Sequence, residues 1–341
     1  QAAFRQCKSS KLFALRPAAM LPLHKIGCVS AMQIEQALCI ALNLHYLCTI
    51  VPYRAKSKMG KIDHIAAMLA STGQTLGGMM KILLMSRRST VKPTAKSGEE
   101  IVVLGNGPSL NDTIAHHADF LACRRKIAVN FAANTPVFRE LRPDYYVLAD
   151  PHFFSASDPN VDKLWNAFNA IDWPMTLFVP ATTRTNSRIR NIKAANSMVA
   201  VAYYNMTPIE GFKWFRHAVY RAGLGMPRPR NVLIPSLMLA IASGFKSIYV
   251  AGADHSWMQT LSVDDENRVI SIQPHFYKEA ETERKRIDTE YMRYPLHQIV
   301  YSFYVAFKAY HTIREYADSA QARIWNITPK SFIDAFPRKK L

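Results

Sequence analysis

From residue 99 onward, short apolar runs alternate with longer stretches in which apolar positions recur every three or four residues. The runs 101–105, 126–130, 145–150, 175–180, 198–204, 247–252 and 323–327 predict strands. The stretches 110–122, 161–170, 208–220, 232–242, 296–317 and 331–335 predict helices. Short apolar strands separated by helical spans imply a mostly parallel sheet with helices on both faces, an α/β, Rossmann-like architecture. Ligands on such a sheet bind at the carboxyl ends of its strands.

Upstream the pattern changes. Residues 62–85 place Ile62, Ile65, Met68, Leu69, Leu76, Met79, Met80, Leu83 and Leu84 at near-helical spacing, and Arg87, Arg88, Lys92 and Lys96 follow. A basic amphipathic segment of this kind suits a membrane interface, and equally suits a helix packed on the body. The run 37–51 is apolar but shorter than the roughly 20 residues of a spanning helix, and no small-residue cleavage pattern follows it. Met59-Gly60-Lys61 reads as a fresh start, which makes residues 1–58 an upstream extension. The expected organisation is therefore 1–58 as an extension, 59–98 as a basic amphipathic helical segment with linker, and 99–341 as the catalytic domain, with a lid near 258–294.

Charge sharpens this division. Of the net +18 across 341 residues, residues 1–98 contribute an excess of twelve basic side chains and residues 99–341 an excess of six. A basic face interleaved with aromatics is missing from the body, so nucleic acid is not an expected partner. A membrane surface or an anionic ligand fits better. Four of the five cysteines fall in the first fifty residues at spacings that do not suit zinc, and the odd count argues against a disulfide scaffold and for a reducing cytoplasm.

The most informative stretch is Ile101-Val102-Val103-Leu104-Gly105-Asn106-Gly107-Pro108-Ser109-Leu110, a buried strand turning sharply into a helix. Gly105 and Gly107 allow close backbone approach, Pro108 fits a first helical turn, and Ser109 adds a hydroxyl among the free amides there. The third glycine of the dinucleotide fingerprint and the Gly-Lys-Ser/Thr of a P-loop are both missing. Other strand ends bring further polar groups to the same rim: Asn130, Asp150 before Pro151, and Asp254 with His255. Each alone suits a cap or turn, whereas together they suit the hydroxyls and base of a nucleotide or sugar.

These motifs, in this order, resemble the bacterial sialyltransferases of glycosyltransferase family 42 and the related motility-associated flagellin glycosyltransferases. The resemblance continues through Ile234-Pro235-Ser236, through Gly244-Phe245-Lys246-Ser247-Ile248-Tyr249-Val250-Ala251-Gly252-Ala253-Asp254, and through Asn326-Ile327-Thr328-Pro329-Lys330-Ser331. It implies a GT-A-like variant of the Rossmann fold and a transferase that moves a nonulosonic sugar from a CMP-activated donor to a surface glycan or glycolipid. It assigns Asn106, Asn130 and Ser236 to the cytidine nucleotide, with the 105–109 backbone near the phosphate. The family's Asn-Pro after the third strand is Asp150-Pro151 here, and the small residue after the serine is Leu237. The first loop is also similar to that of 6-hydroxymethylpterin pyrophosphokinases, which leaves a magnesium-dependent diphosphotransferase as an alternative, with Asp150 and Asp254 as metal-binding carboxylates. A non-catalytic, membrane-associated nucleotide-binding protein is the other.

Sugar transfer needs a base for the acceptor hydroxyl and stabilisation of the departing phosphate. His275, in Pro274-His275-Phe276-Tyr277, is the leading base, with Tyr277 placed to donate its phenol to the phosphate. His297 competes for the role, and His255 suits a structural or donor contact. With no Asp-x-Asp in the chain, the resemblance implies metal-independent transfer without a cofactor. The expected location is the cytoplasm, peripheral on the inner face of the membrane through residues 59–98, and a homo-oligomer is allowed for.

Overall fold

Seven buried segments assemble into one parallel sheet. They are β1 (Glu100–Leu104), β2 (Arg125–Val129), β3 (Tyr145–Val147), β4 (Met175–Pro180), β5 (Val199–Tyr204), β6 (Ser247–Ala251) and, last in the chain, Arg323–Asn326. In the computed structural model, which describes residues 61–270, 276 and 293–341, these match the seven predicted strands, with ends moved by a residue or a few. A two-stranded antiparallel hairpin, β7 (Ser262–Val263) with β8 (Val269–Ile270), makes the last main-sheet strand β9. The sheet order is β5-β4-β3-β2-β1-β6-β9. The chain thus builds outward from β1 in one direction, returns, and resumes on the other side of β1. That reversal leaves a crevice at the carboxyl ends of β1 and β6, the switch point where open α/β sheets take ligands.

Helices cover both faces. On the near side of β1, Ile101 and Val103 pack with the helices α8 (Lys213–Arg221), α9 (Leu233–Ala242) and α10 (Leu296–Ser319). On the far side, Val102 and Leu104 pack with α2 (Leu110–His116) and α3 (Ala118–Ala122). This in-out alternation on a strand buried on both faces explains its uninterrupted apolar sequence. Farther along the sheet, α4 (Val137–Leu141), α5 (His152–Ser155), α6 (Pro159–Asn169) and α7 (Ser187–Ala195) surround a second core centred on Tyr146, Leu148, Phe168 and Leu177. Before all of these, α1 (Lys61–Met85) lies on the body through one narrow face. Thr75 Oγ1 accepts from the Phe212 amide, and Gly78 sits on the Phe215 ring.

Three helix expectations are corrected. The predicted helix 110–122 is two, broken at His117 (φ −133°, ψ 37°). The predicted 208–220 helix begins only at Lys213: Pro208 and Ile209 run beside Met226, and Gly211, at φ +107° against Thr75 of α1, leaves no room for a side chain. The predicted helix 331–335 is irregular, because side chains and a distant carbonyl capture its backbone. The Phe332 amide donates to the Asp254 carbonyl, the Ile333 amide to Ser331 Oγ, and Asn326 Nδ2 donates to the Ile333 carbonyl.

Asn326 is the hub of that segment. It is almost fully buried, with Nδ2 also donating to Ser331 Oγ and Oδ1 accepting from the Thr328 amide. Asn326→Ala strands these partners in the core, so urea unfolding is expected to show a loss of about 2–4 kcal/mol.

Candidate functional site

The crevice is built by backbone contact. Pairing of β1 with β6 runs from Glu100 opposite Ser247 to Leu104 opposite Ala251 and does not stop at the strand ends. The Gly105 amide donates to the Ala251 carbonyl and the Gly107 amide to the Gly252 carbonyl, each at 2.8 Å. A Cβ on Gly105 would lie 2.4 Å from the Gly252 oxygen, and one on Gly107 would lie 1.9 Å from Asp254 Oδ2. Both glycines are therefore required by the approach of the two turns to each other.

Asp254 closes this contact. Its Oδ2 accepts from Ser109 Oγ at 2.8 Å, and its carboxylate also accepts from the Ser109 amide at the start of α2. Burial raises the carboxyl above its ordinary range, and the two Ser109 bonds offset part of that rise. The donors of Ser109 are thus already engaged by a carboxylate of the chain itself.

Asn106 is different. Its carbonyl accepts from the Phe276 amide at 2.9 Å, and Asn111 Nδ2 donates to the Phe276 carbonyl at 3.0 Å. Its side-chain amide, however, is buried at both Nδ2 and Oδ1 without a hydrogen-bond partner. It borders a small hollow otherwise lined by apolar groups, among them Leu104, Leu110, Phe138 and Phe276. Buried amides without partners cost free energy and are uncommon in native structures, where they mark sites completed by a water, an ion or a ligand.

The remaining expected residues divide. Asn130, half-buried at the end of β2, takes a left-handed conformation (φ +52°), and its carbonyl accepts from Tyr146 Oη at 2.6 Å. Asp150 is exposed and its Oδ1 accepts from the His152 amide at 2.8 Å, ahead of Pro151, the N-cap of α5. Ser236 is fully buried in the first turn of α9 and donates to the Val232 carbonyl at 2.7 Å. The structure therefore brings Gly105, Asn106, Gly107, Ser109 and Asp254 together, while Ser236 Oγ bonds within α9 and Asp150 Oδ1 bonds the backbone at the start of α5. His297 stands exposed in the first turn of α10. Nearby, Ile299 and Phe303 of that helix pack with Val269 and Trp257. His275 and Tyr277 lie outside the described residues.

His255 follows Asp254 in a left-handed conformation (φ +52°) and is buried. Its Nε2 lies 2.6 Å from Tyr310 Oη, which lies 3.0 Å from Asn231 Oδ1. That oxygen also accepts from the Leu233 amide, so Asn231 must present an acceptor here, Tyr310 donates to it, and His255 Nε2 carries the hydrogen. Burial drives the imidazole down to about 3, so the ring is neutral near pH 7 and is no proton acceptor for catalysis there. Tyr310, Asn231 and Trp257, whose ring lies 4.1 Å from that of His255, are site neighbours that the hydrophobic pattern did not distinguish from core residues.

The C-terminal motif acts as a brace. Thr328 Oγ1 accepts from the Ala253 amide at 3.1 Å, Ser331 Oγ donates to the Ala253 carbonyl at 2.6 Å, and the Asp254 carbonyl is taken by Phe332. Among the described residues, no three or more His, Cys, Asp or Glu side chains form a group that could hold a metal ion. No described helix is long and apolar enough to cross a membrane.

No protein-family model matches the chain, and no curated protein matches it. Among solved structures it is similar to a MAf glycosyltransferase from Magnetospirillum magneticum AMB-1, at 11% identity and a TM-score of 0.42. That likeness covers 82% of this chain and 42% of the other, so this chain spans less than half the neighbour's length. The α/β, Rossmann-like fold is read from the strand order itself.

The His255 environment makes stability pH-dependent. The folded state holds the ring near 3 and the unfolded chain returns it to about 6.5, so the unfolded state binds the extra proton between those values. Stability from the neutral ring is complete above pH 6.5 and is lost as pH falls toward 3, by at most about 1.4 kcal/mol per pH unit. In urea titrations from pH 7 down to 4, the gap between the native protein and His255→Gln is expected to narrow with that slope.

Proposed function

We propose that the chain is a glycosyltransferase whose rim at the carboxyl end of β1, around Asn106, takes the nucleotide of a CMP-activated nonulosonic sugar and passes the sugar to a surface glycan or glycolipid. The observation that carries this reading is the Asn106 amide, a buried donor and acceptor left open at the switch point. An amide of this kind can meet the phosphate or the base edge of a nucleotide, and the half-buried Asn130 stands at the end of the neighbouring strand. Because Asp254 already holds both donors of Ser109, and the Gly105 and Gly107 amides are bonded to Ala251 and Gly252, the phosphate falls to the Asn106 side chain. Asp254, an acceptor while ionised, suits the ribose hydroxyls.

The chemistry then has defined parts. The bond between the anomeric carbon and the phosphate oxygen breaks, CMP departs, and the acceptor oxygen attacks while a base takes its proton. His275 is assigned as that base and Tyr277 as donor to the leaving phosphate. Their chain neighbour Phe276 is pinned to Asn106 and Asn111, which supports the assignment. His297 is the competing base. A monophosphate can leave on hydroxyls and amides, so transfer is read as independent of divalent metal.

A thermal-shift panel of CMP, CDP, UDP, GDP and ATP, with and without EDTA, tests the nucleotide. Preferential stabilisation by CMP, unaffected by EDTA, is expected. Stabilisation by ATP only with magnesium rejects the reading. In Asn106→Ala the unliganded protein should melt no lower than the native one, since a buried group without a partner is removed, while CMP affinity falls about tenfold or more. His275→Ala should keep CMP binding and lose transfer by about 10²–10⁴-fold, with His297→Ala near native; the reverse pattern reassigns the base.

A further inference from the structure

We infer that α1 and the basic turn after it form a docking surface for an anionic lipid bilayer. The inference rests on residues separate from the β1–β6 crevice and stands independently of the nucleotide reading. Thr75, Gly78 and Ile82 face the body. At about 100° per residue, Ile65, Met68, Leu69, Leu76, Met80 and Leu83 fall in one arc of roughly 120° on another side of the helix. All six are exposed, Leu76 at 59% and Leu83 at 75%. A surface this apolar on a single helix is larger than scattered exposure accounts for and marks a contact with something apolar.

The charge beside it names the partner. Arg87, Arg88, Lys92 and Lys96 are all exposed, and the chain has no acidic residue between Asp63 and Glu99. Arg87 donates to the Leu84 and Ser86 carbonyls at the end of α1, which holds its guanidinium beside the apolar arc. Exposed Arg184 donates to the Arg88 carbonyl, adding a third guanidinium at the same place. Lys96 faces Glu99, but an apolar strip with Arg87, Arg88 and Arg184 at its end suits a bilayer carrying negative headgroups, with the strip entering the acyl boundary and the arginines among the headgroups. A second copy of the chain would set the same positive charges against one another.

The test is co-sedimentation of the full chain with vesicles of phosphatidylcholine alone and of phosphatidylcholine mixed with phosphatidylglycerol, with light scattering in parallel. Binding is expected to the anionic vesicles, weakened by salt, and much less to the neutral ones. Leu76→Gln with Leu83→Gln should reduce it about tenfold or more, and Arg87→Gln with Arg88→Gln about fivefold for each charge removed. Both variants change exposed side chains, so the melting temperature and any CMP-induced shift should stay as in the native protein. Unchanged vesicle binding in both variants overturns the assignment, as does equal binding to neutral and anionic vesicles. A dimer that Leu76→Gln with Leu83→Gln converts to monomer, with no vesicle binding by either form, assigns the surface to a second copy instead.

Discussion

The contact on which the candidate site depends is between two backbones. Past the ends of β1 and β6 the chains stay hydrogen-bonded, and the Gly105 turn and the Gly252 turn approach until neither has space for a side chain on the facing side. Gly252 takes φ +62° to make this possible. From that contact follow the position of Asn106 between the turns, the reach of Asp254 across to Ser109, and the start of α2. A glycine-rich turn is often read as space kept for a ligand. Here the space is first taken by the neighbouring strand, and it is the asparagine held between the glycines whose side-chain amide is left without a partner.

Asp254 and His255 show how much structure is spent on holding that rim. Thr328, Ser331 and Phe332 bond the backbone at 253–254 from one side, and Tyr310 and Asn231 tie the His255 ring from the other. Thr328, Ser331 and His255 are buried polar groups whose bonds reach other polar groups, an arrangement that loses much of its value if a member is removed. Asn106, one turn away and bordering the hollow beside Leu104 and Phe138, has nothing bonded to its side-chain amide.

The helix α1 presents the opposite case, apolar groups where polar ones are expected. Its contact with the body uses Thr75, Gly78 and Ile82, and the two smaller residues let the helix lie close while most of its large side chains stay exposed. The sequence reading left two alternatives for this segment, packing on the body or lying on a membrane. The described structure shows the packing, and that packing leaves the apolar arc uncovered.

The sequence by itself determined the sheet. Its seven strands and their flanking helices are legible because strands buried on both faces must be apolar along their length, and that pattern is local. It also marked Gly105, Asn106, Gly107, Ser109 and Asp254, since polar residues that end buried strands stand out against them. Only the tertiary structure decided what each does. Asp150 and Ser236 carry the same side-chain chemistry as Asp254 and Ser109, yet Ser236 bonds within its own helix and Asp150 bonds an amide two residues on. The Ser331 segment is not helical, because Asp254, distant in sequence, and the nearby Asn326 side chain capture its backbone groups. Strand order, which puts β6 beside β1, depends on pairings across almost 150 residues, and which hydrogen bond a serine or an asparagine makes depends on what those pairings bring near it.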